Sequence, residues 1–315
     1  MGGGQVRFVE WYMTKAWVAA LAVLALARGA EAAPLVVSDD AGQRVTLLHA
    51  PLRIVSLAPG ATEMLFAAGV GDRLVATVNF SNEPAAARSV PRIGDVTAVD
   101  MERLVAIHPD LVVAWPGGGN PAQLERITQL GIPIYRQQVN RLSDLPASLR
   151  RLGALGASPD IAQQAADALQ KELARIAGEY GGTPGKHPTV LLEVWNRPIY
   201  TVGGAQVMSD ALALCGARNV FADLKELGPV IDTEAVIARN PDIIVAAAPP
   251  GEAASWLAEW RRFPSLAAVR NGRLVAFEDQ ALSRLGPSVV PATEALCKAL
   301  GGGAAASRPP ASGPR

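Results

Sequence analysis

Residues 100–118, DMERLVAIHPDLVVAWPGG, and residues 232–251, DTEAVIARNPDIIVAAAPPG, follow one pattern. Each runs Asp-x-Glu-x, an apolar pair and alanine, then Pro-Asp, a strand-like apolar run and a turn rich in Pro and Gly. Such a repeat constrains the architecture before any motif is read. Asp100 and Asp232 suit helix N-caps, whose carboxylates accept first-turn N–H groups. Pro109 and Pro241 end each helix before its strand, because proline has no N–H to give a helix interior. One helix–strand unit in each half predicts two lobes of the same plan.

Short apolar runs alternate with helical stretches from Pro51 onward, which predicts α/β layers. Strands are expected at 53–58, 74–78 and 111–115, then at 189–195, 242–248 and 272–277. The first of these breaks at Pro59 and Gly60 into the helical ATEMLFAAGV. Between 145 and 180 the chain turns rich in Ala, Leu, Gln and charge. Residues 159–180 there read as one long helix, started by Ser158 and Pro159. The expected fold is α/β: two Rossmann-like lobes, 33–141 and 182–300, joined by a single long helix within residues 142–181.

The two ends read differently. Lys15 precedes the apolar residues 16–27, and Ala30, Glu31 and Ala32 form a small-x-small cleavage pattern, so residues 1–32 read as a secretory signal. Met1 and Met13 are both possible starts. The apolar stretch is shorter than the roughly 20 residues a spanning helix needs. Residues 301–315 are mostly Gly, Ala, Ser and Pro and are expected to be a disordered tail. The exported protein is thus expected in the periplasm. Lys plus Arg number 29 and Asp plus Glu 29, so no strong field favours nucleic acid. Cys215 and Cys297 are the two cysteines, and an oxidising compartment makes their pairing the default expectation.

Trp115 ends an apolar run and is followed by Pro116, Gly117, Gly118 and Gly119. A phosphate cradle would need those glycines to open a helix in G-x-G-x-x-G spacing, or to be followed by Lys and Ser or Thr, and neither occurs. Trp115 instead stands where a central strand ends, the edge at which open α/β sheets bind ligands. It reads as a wall of a cleft, with ordinary core packing as the alternative. No G-x-S-x-G and no H-E-x-x-H occurs, so no catalytic residues are assigned. The three histidines and the acids show no cluster suited to a metal, so no metal site and no cofactor is assigned.

The stretches RIVSLAPGATEMLFAAG, MERLVAIHPDLVVAWPGGGN, LGIPIY and ALALCGARNVF resemble the periplasmic binding proteins of ABC importers for cobalamin and iron chelates. The resemblance spans about Pro51 to Leu300, with the cobalamin branch the best match. It implies lobes joined by one rigid helix, no enzyme activity, and a monomer that delivers its ligand to the transmembrane subunits of an importer. The implied ligand is cobalamin or a related corrinoid; a ferric siderophore or haem is the alternative.

Residue by residue, the resemblance implies a ligand site of Gly60, Phe80, Trp115, Gly117, Tyr200, Asp279 and Arg284. Phe80 stands where the cobalamin proteins have tyrosine, and Tyr200 where they have phenylalanine. Glu102 and Glu234, one per repeat, are implied to meet arginines of the transporter; the bland alternative is that they complement helix dipoles. The branch pairs a cysteine in L-x-x-C-G-x-x-N-x-F with one in its last helix, which Cys215 and Cys297 match. Two tryptophans of the branch fall on Val96 and Gly228, so two large ring contacts are absent.

Overall fold

The computed structural model describes residues 34–182 and 187–301. The signal and tail expectations, with the choice between Met1 and Met13, lie outside the described residues, Gly301 apart.

The described residues open with a hairpin, β1 (Leu35–Ser38) and β2 (Arg44–Leu47). The first lobe then runs β3 (Ile54–Ser56), α1 (Pro59–Ala67), β4 (Leu74–Ala76), α2 (Met101–Ala106), β5 (Leu111–Ala114), α3 (Pro121–Gln129) and β6 (Ile134–Arg136). Two helices follow, α4 (Leu145–Leu155) and α5 (Pro159–Tyr180), and α5 occupies the residues expected of the long helix. The second lobe has β7 (Thr189–Glu193), β8 (Ile199–Tyr200), α6 (Val207–Leu214), β9 (Arg218–Asn219), β10 (Val230–Ile231), α7 (Thr233–Arg239), β11 (Ile243–Ala247), α8 (Ala253–Trp260), α9 (Ala267–Arg270), β12 (Leu274–Phe277) and α10 (Val289–Gly301).

The main sheets are β4-β3-β5-β6 and β9-β7-β11-β12, and every pairing in them is parallel. Counting only the strands of each sheet in chain order, both have strand order 2-1-3-4. Both central strands are buried on both faces, which is why they read as unbroken apolar runs.

The repeat has a physical basis at each of its marks. Asp100 accepts the Arg103 N–H at 2.9 Å and Asp232 the Ala235 N–H at 2.7 Å, so both cap their helices. His108 and Asn240 end the units with φ of 50° and 46°, a left-handed turn that places the next residue, a proline, outside the helix. The aspartate after each proline ties the third strand to the start of the first. Asp110 accepts the N–H groups of Leu52 and Arg53 at 2.7 and 2.9 Å, and Asp242 accepts the N–H and the hydroxyl of Thr189, each at 2.8 Å.

Other links differ between lobes. In the first, buried Asp40 accepts from Tyr135, Ser148 and Arg151 and so fastens the hairpin to β6 and α4. In the second, Cys215 and Cys297 form a disulfide between the end of α6 and α10. Among the described residues, no helix is long and apolar enough to cross a membrane, and no three His, Cys, Asp or Glu gather to hold a metal ion.

Candidate ligand-binding cleft

Parallel strands in both lobes end at the edge where the lobes meet, so loops after strands β3, β5, β6 and β12 supply the facing side chains. A cavity of about 280 Å³ lies there, walled by Ala58, Gly60, Phe80, Val96 and Trp115 of the first lobe and by Gln280, Ser283, Arg284 and Leu285 of the second. An adjoining cavity of about 690 Å³ shares Gln280 and Arg284 and adds Glu63, Phe66, Asp279 and Ser288. The walls are mainly apolar with a few convergent polar groups, the usual make-up of a small-molecule site.

Trp115 is half-buried and its indole is held by the glycines behind it. A Cβ at Gly118 would sit 2.0 Å from the ring and one at Gly117 2.8 Å from Nε1. The turn closes through the Gly119 N–H, which donates to the Trp115 carbonyl at 3.0 Å. A helix, α3, does follow, but Asn120 caps it by accepting the Ala122 N–H at 3.1 Å. The glycine run is therefore a clamp for an aromatic ring and not a phosphate cradle.

At Gly60 the first lobe packs tightly against the second. A Cβ there would lie 2.7 Å from the Leu285 backbone, so only glycine lets α1 reach that loop. Beside it, Glu63 is 5% exposed. It accepts the Ser288 N–H at 3.0 Å and pairs with Arg284 at 3.5 Å. Removing the arginine would leave a buried carboxylate without its cation, an arrangement that costs several kcal/mol in comparable sites, roughly 3–5.

The expected site residues fall into three groups. Gly60, Phe80, Trp115 and Arg284 line the smaller cavity, and Phe80 is 73% exposed, held out by a left-handed backbone with φ of 64°. Asp279 lines the larger cavity, where its carboxylate accepts the Ala281 N–H. Gly117 and Tyr200 line neither; Gly117 lies against the Trp115 ring and Leu227 of the second lobe, and Tyr200 is 36% exposed on β8.

Tyr200 sits in a row. It pairs with Val230 on β10 and bridges Trp195, so the three side chains share one face, and Trp195 is 51% exposed. Val96 lines the smaller cavity, and the space around Gly228 is open for 4 Å. Sequence reasoning missed Trp195, Glu63, Gln137, Gln280 and Ser283. A polar Gln137 directly after a buried strand is a signal that could have been read.

Glu102 and Glu234 are exposed, each in the first turn of its helix. Helices α2 and α7 each lead into a parallel strand, which places their N-termini at the sheet edge that carries the cleft.

The periplasmic binding protein family profile matches residues 54–281. The chain belongs to that family. Periplasmic binding proteins similar to it include the vitamin B12-binding protein of Pectobacterium carotovorum, 32% identical over 250 residues that make up 79% of this chain and 88% of the relative. The vitamin B12-binding protein of Photorhabdus laumondii is 31% identical, covering 81% of this chain and 90% of the relative. Among solved structures, the periplasmic vitamin B12 binding protein BtuF of Vibrio cholerae matches with a TM-score of 0.72 at 30% identity, over 82% of this chain and 99% of that one. The apo haem-binding protein RhuT of Roseiflexus shares the fold, with a TM-score of 0.68 at 24% identity, over 80% of this chain and 98% of that one. These relatives are binding proteins.

Proposed function

We propose that this chain is a periplasmic receptor that captures cobalamin or a related corrinoid between its lobes and delivers it to an ABC importer, acting as a monomer and without covalent chemistry. The observation that carries this reading is the cleft itself. The Trp115 ring is clamped at its mouth, exposed Phe80 stands beside it, and amide- and guanidinium-bearing side chains converge from the opposite lobe. Aromatic faces suit the C–H edges and flat face of a macrocycle, and Gln280 and Arg284 suit its peripheral amides. The names of the relatives, matched over most of their length, support the same ligand. A ligand of that size exceeds either cavity alone and straddles Arg284, which borders both.

Glu102 and Glu234 offer one exposed carboxylate per lobe at the cleft edge, spaced by the fold, and two charge-assisted bonds there would orient the receptor on paired arginines. Asp279, Gly117 and Tyr200 extend the ligand surface at its rim.

Calorimetric titration of the exported protein with cyanocobalamin tests the ligand. Binding at micromolar concentration or tighter is expected, and a flat titration removes the corrinoid reading. Reversing Glu102 and Glu234 together is expected to abolish stimulation of the importer at unchanged ligand affinity. A fall in affinity would instead place both acids in the ligand site.

A further inference from the structure

Gln137 follows β6 on the floor of the smaller cavity, and its side chain is fully buried at 0% exposure. Its Nε2 donates to the Leu285 carbonyl of the other lobe at 2.5 Å. Its Oε1 is buried and has no hydrogen-bond partner. Exchanging the two ends of the amide would set Oε1 against the Leu285 oxygen, two acceptors in contact, so the orientation is fixed by chemistry. A buried carboxamide oxygen without a donor costs about 1–3 kcal/mol, and native proteins leave few of them.

The cavity that Gln137 lines is largely apolar, with Ala58, Ala61, Val96, Trp115 and Leu285, and its other neutral donors are engaged: Gln280 Nε2 donates to the Ala248 carbonyl and the Ser283 hydroxyl to the Gln280 carbonyl. The nearby cation, Arg284, is engaged with Glu63. The polar atom therefore lacks one kind of partner, a hydrogen-bond donor, and Gln137 lines the cavity in which a ligand would sit.

We propose that Gln137 is a specificity-determining residue of the cleft: its Oε1 accepts an N–H from a primary carboxamide of the ligand and disfavours a carboxylate at that point. This rests on the corrinoid reading and sharpens it. A macrocycle edged with amides presents N–H donors all round its rim, whereas one edged with carboxylates brings acceptor against acceptor and an anion into a dry pocket. Sites with a built-in polar partner discriminate far more strongly than apolar ones, because a mismatched ligand leaves the buried group unpaired.

The test uses cyanocobalamin and the three monocarboxylic acids made from its propionamide side chains, in each of which one carboxamide has become a carboxylate. Affinities are measured by calorimetry for the wild-type protein, Gln137→Met and Gln137→Glu. Wild type is expected to bind one of the three acids at least tenfold more weakly than cyanocobalamin, tenfold corresponding to about 1.4 kcal/mol. Gln137→Met is expected to bind cyanocobalamin roughly tenfold more weakly and to lose discrimination against that acid alone, keeping its ranking of the other two. Gln137→Glu, protonated in this dry pocket so that its O–H replaces Nε2 toward the Leu285 carbonyl, keeps an acceptor for the ligand; it is expected to retain the discrimination and so guards against a folding defect in the methionine variant. An unchanged ranking of all four ligands by Gln137→Met overturns the proposal. If wild type binds none of the four, the corrinoid reading fails first and takes this inference with it, a different result from corrinoid binding that ignores residue 137.

Discussion

The two lobes have the same skeleton and different faces. Strand order, capped helix, left-handed exit and Pro-Asp strap recur in both, yet the first lobe meets the smaller cavity with Trp115, Phe80, small apolar side chains and the one amide of Gln137, and the second with Gln280, Ser283 and Arg284. Their reinforcements differ as well, a buried polar cluster in one and a disulfide in the other. Elements that set the frame repeat because backbone geometry demands them. Elements that meet a ligand diverge because two sides of one asymmetric molecule make different demands.

The sharpest way to break the comparison is at the disulfide. It closes a loop across 82 positions of sequence, which the chain-entropy model values at about 4.5 kcal/mol, with engineered cases often giving less. Replacing Cys215 and Cys297 by serine should therefore lower the denaturant midpoint of the second lobe by far more than that of the first. Hydrogen exchange that rises equally in β5 and β11 would show the lobes unfold as one body.

Glycines give the next largest contrast. Gly60→Val drives a side chain into the Leu285 backbone, and overpacking of this kind costs about 1–3 kcal/mol. Affinity for cyanocobalamin should fall with it and the lobes should splay, visible as a larger radius of gyration in solution scattering. Gly228→Ala enters open space and should change neither. Equal behaviour of the two variants would mean that α1 and the 284–288 loop do not meet in solution.

The Pro-Asp straps should be equivalent. Asp110→Ala and Asp242→Ala each remove two bonds to the first strand, and each should cost about 1–2 kcal/mol by urea titration. A large inequality would show that the repeat is one of pattern and not of mechanics.

The smallest contrast is one of pH. Burial pushes the carboxyl of Asp40 in the first lobe and of Glu193 in the second above the ordinary carboxylate range. Asp40 has Arg151 beside it, whereas Glu193 accepts only from neutral Trp260 and Asn196. A carboxyl with a raised native value holds its proton more tightly folded than unfolded. Its stabilisation is thus fully present at pH below the unfolded value and is lost as pH rises through the native value. Glu193→Gln should remove that decline and raise the stability of the second lobe at neutral pH, read as urea midpoints from about pH 4 to 8. A wild-type midpoint that climbs across this range, with the variant parallel to it, would contradict the assignment.

Much of this frame was legible in the sequence because its causes are local. A capping Asp, a helix-ending Pro and an apolar run act within a few residues of themselves, and the six expected strands appear where those signals stood, trimmed at their ends. The family resemblance added the aromatic residues and the cysteine pair. What stayed hidden lies between lobes. Gln137 meets Leu285 across 148 positions and Glu63 meets Arg284 across 221, and no periodicity encodes a contact made only when two finished sheets face each other. Trp195 was passed over for a related reason, since a tryptophan ending a buried strand looks internal until the bridge to Tyr200 turns it outward.

The chain crosses from one sheet to the other once, through α4 and α5, and never returns. A polypeptide threaded N-terminus first can therefore finish one half before the other has arrived, with no strand waiting for a late partner. Cys297, in the last described helix, cannot find Cys215 until nearly everything has emerged, so oxidation seals a molecule already assembled and does not direct its assembly.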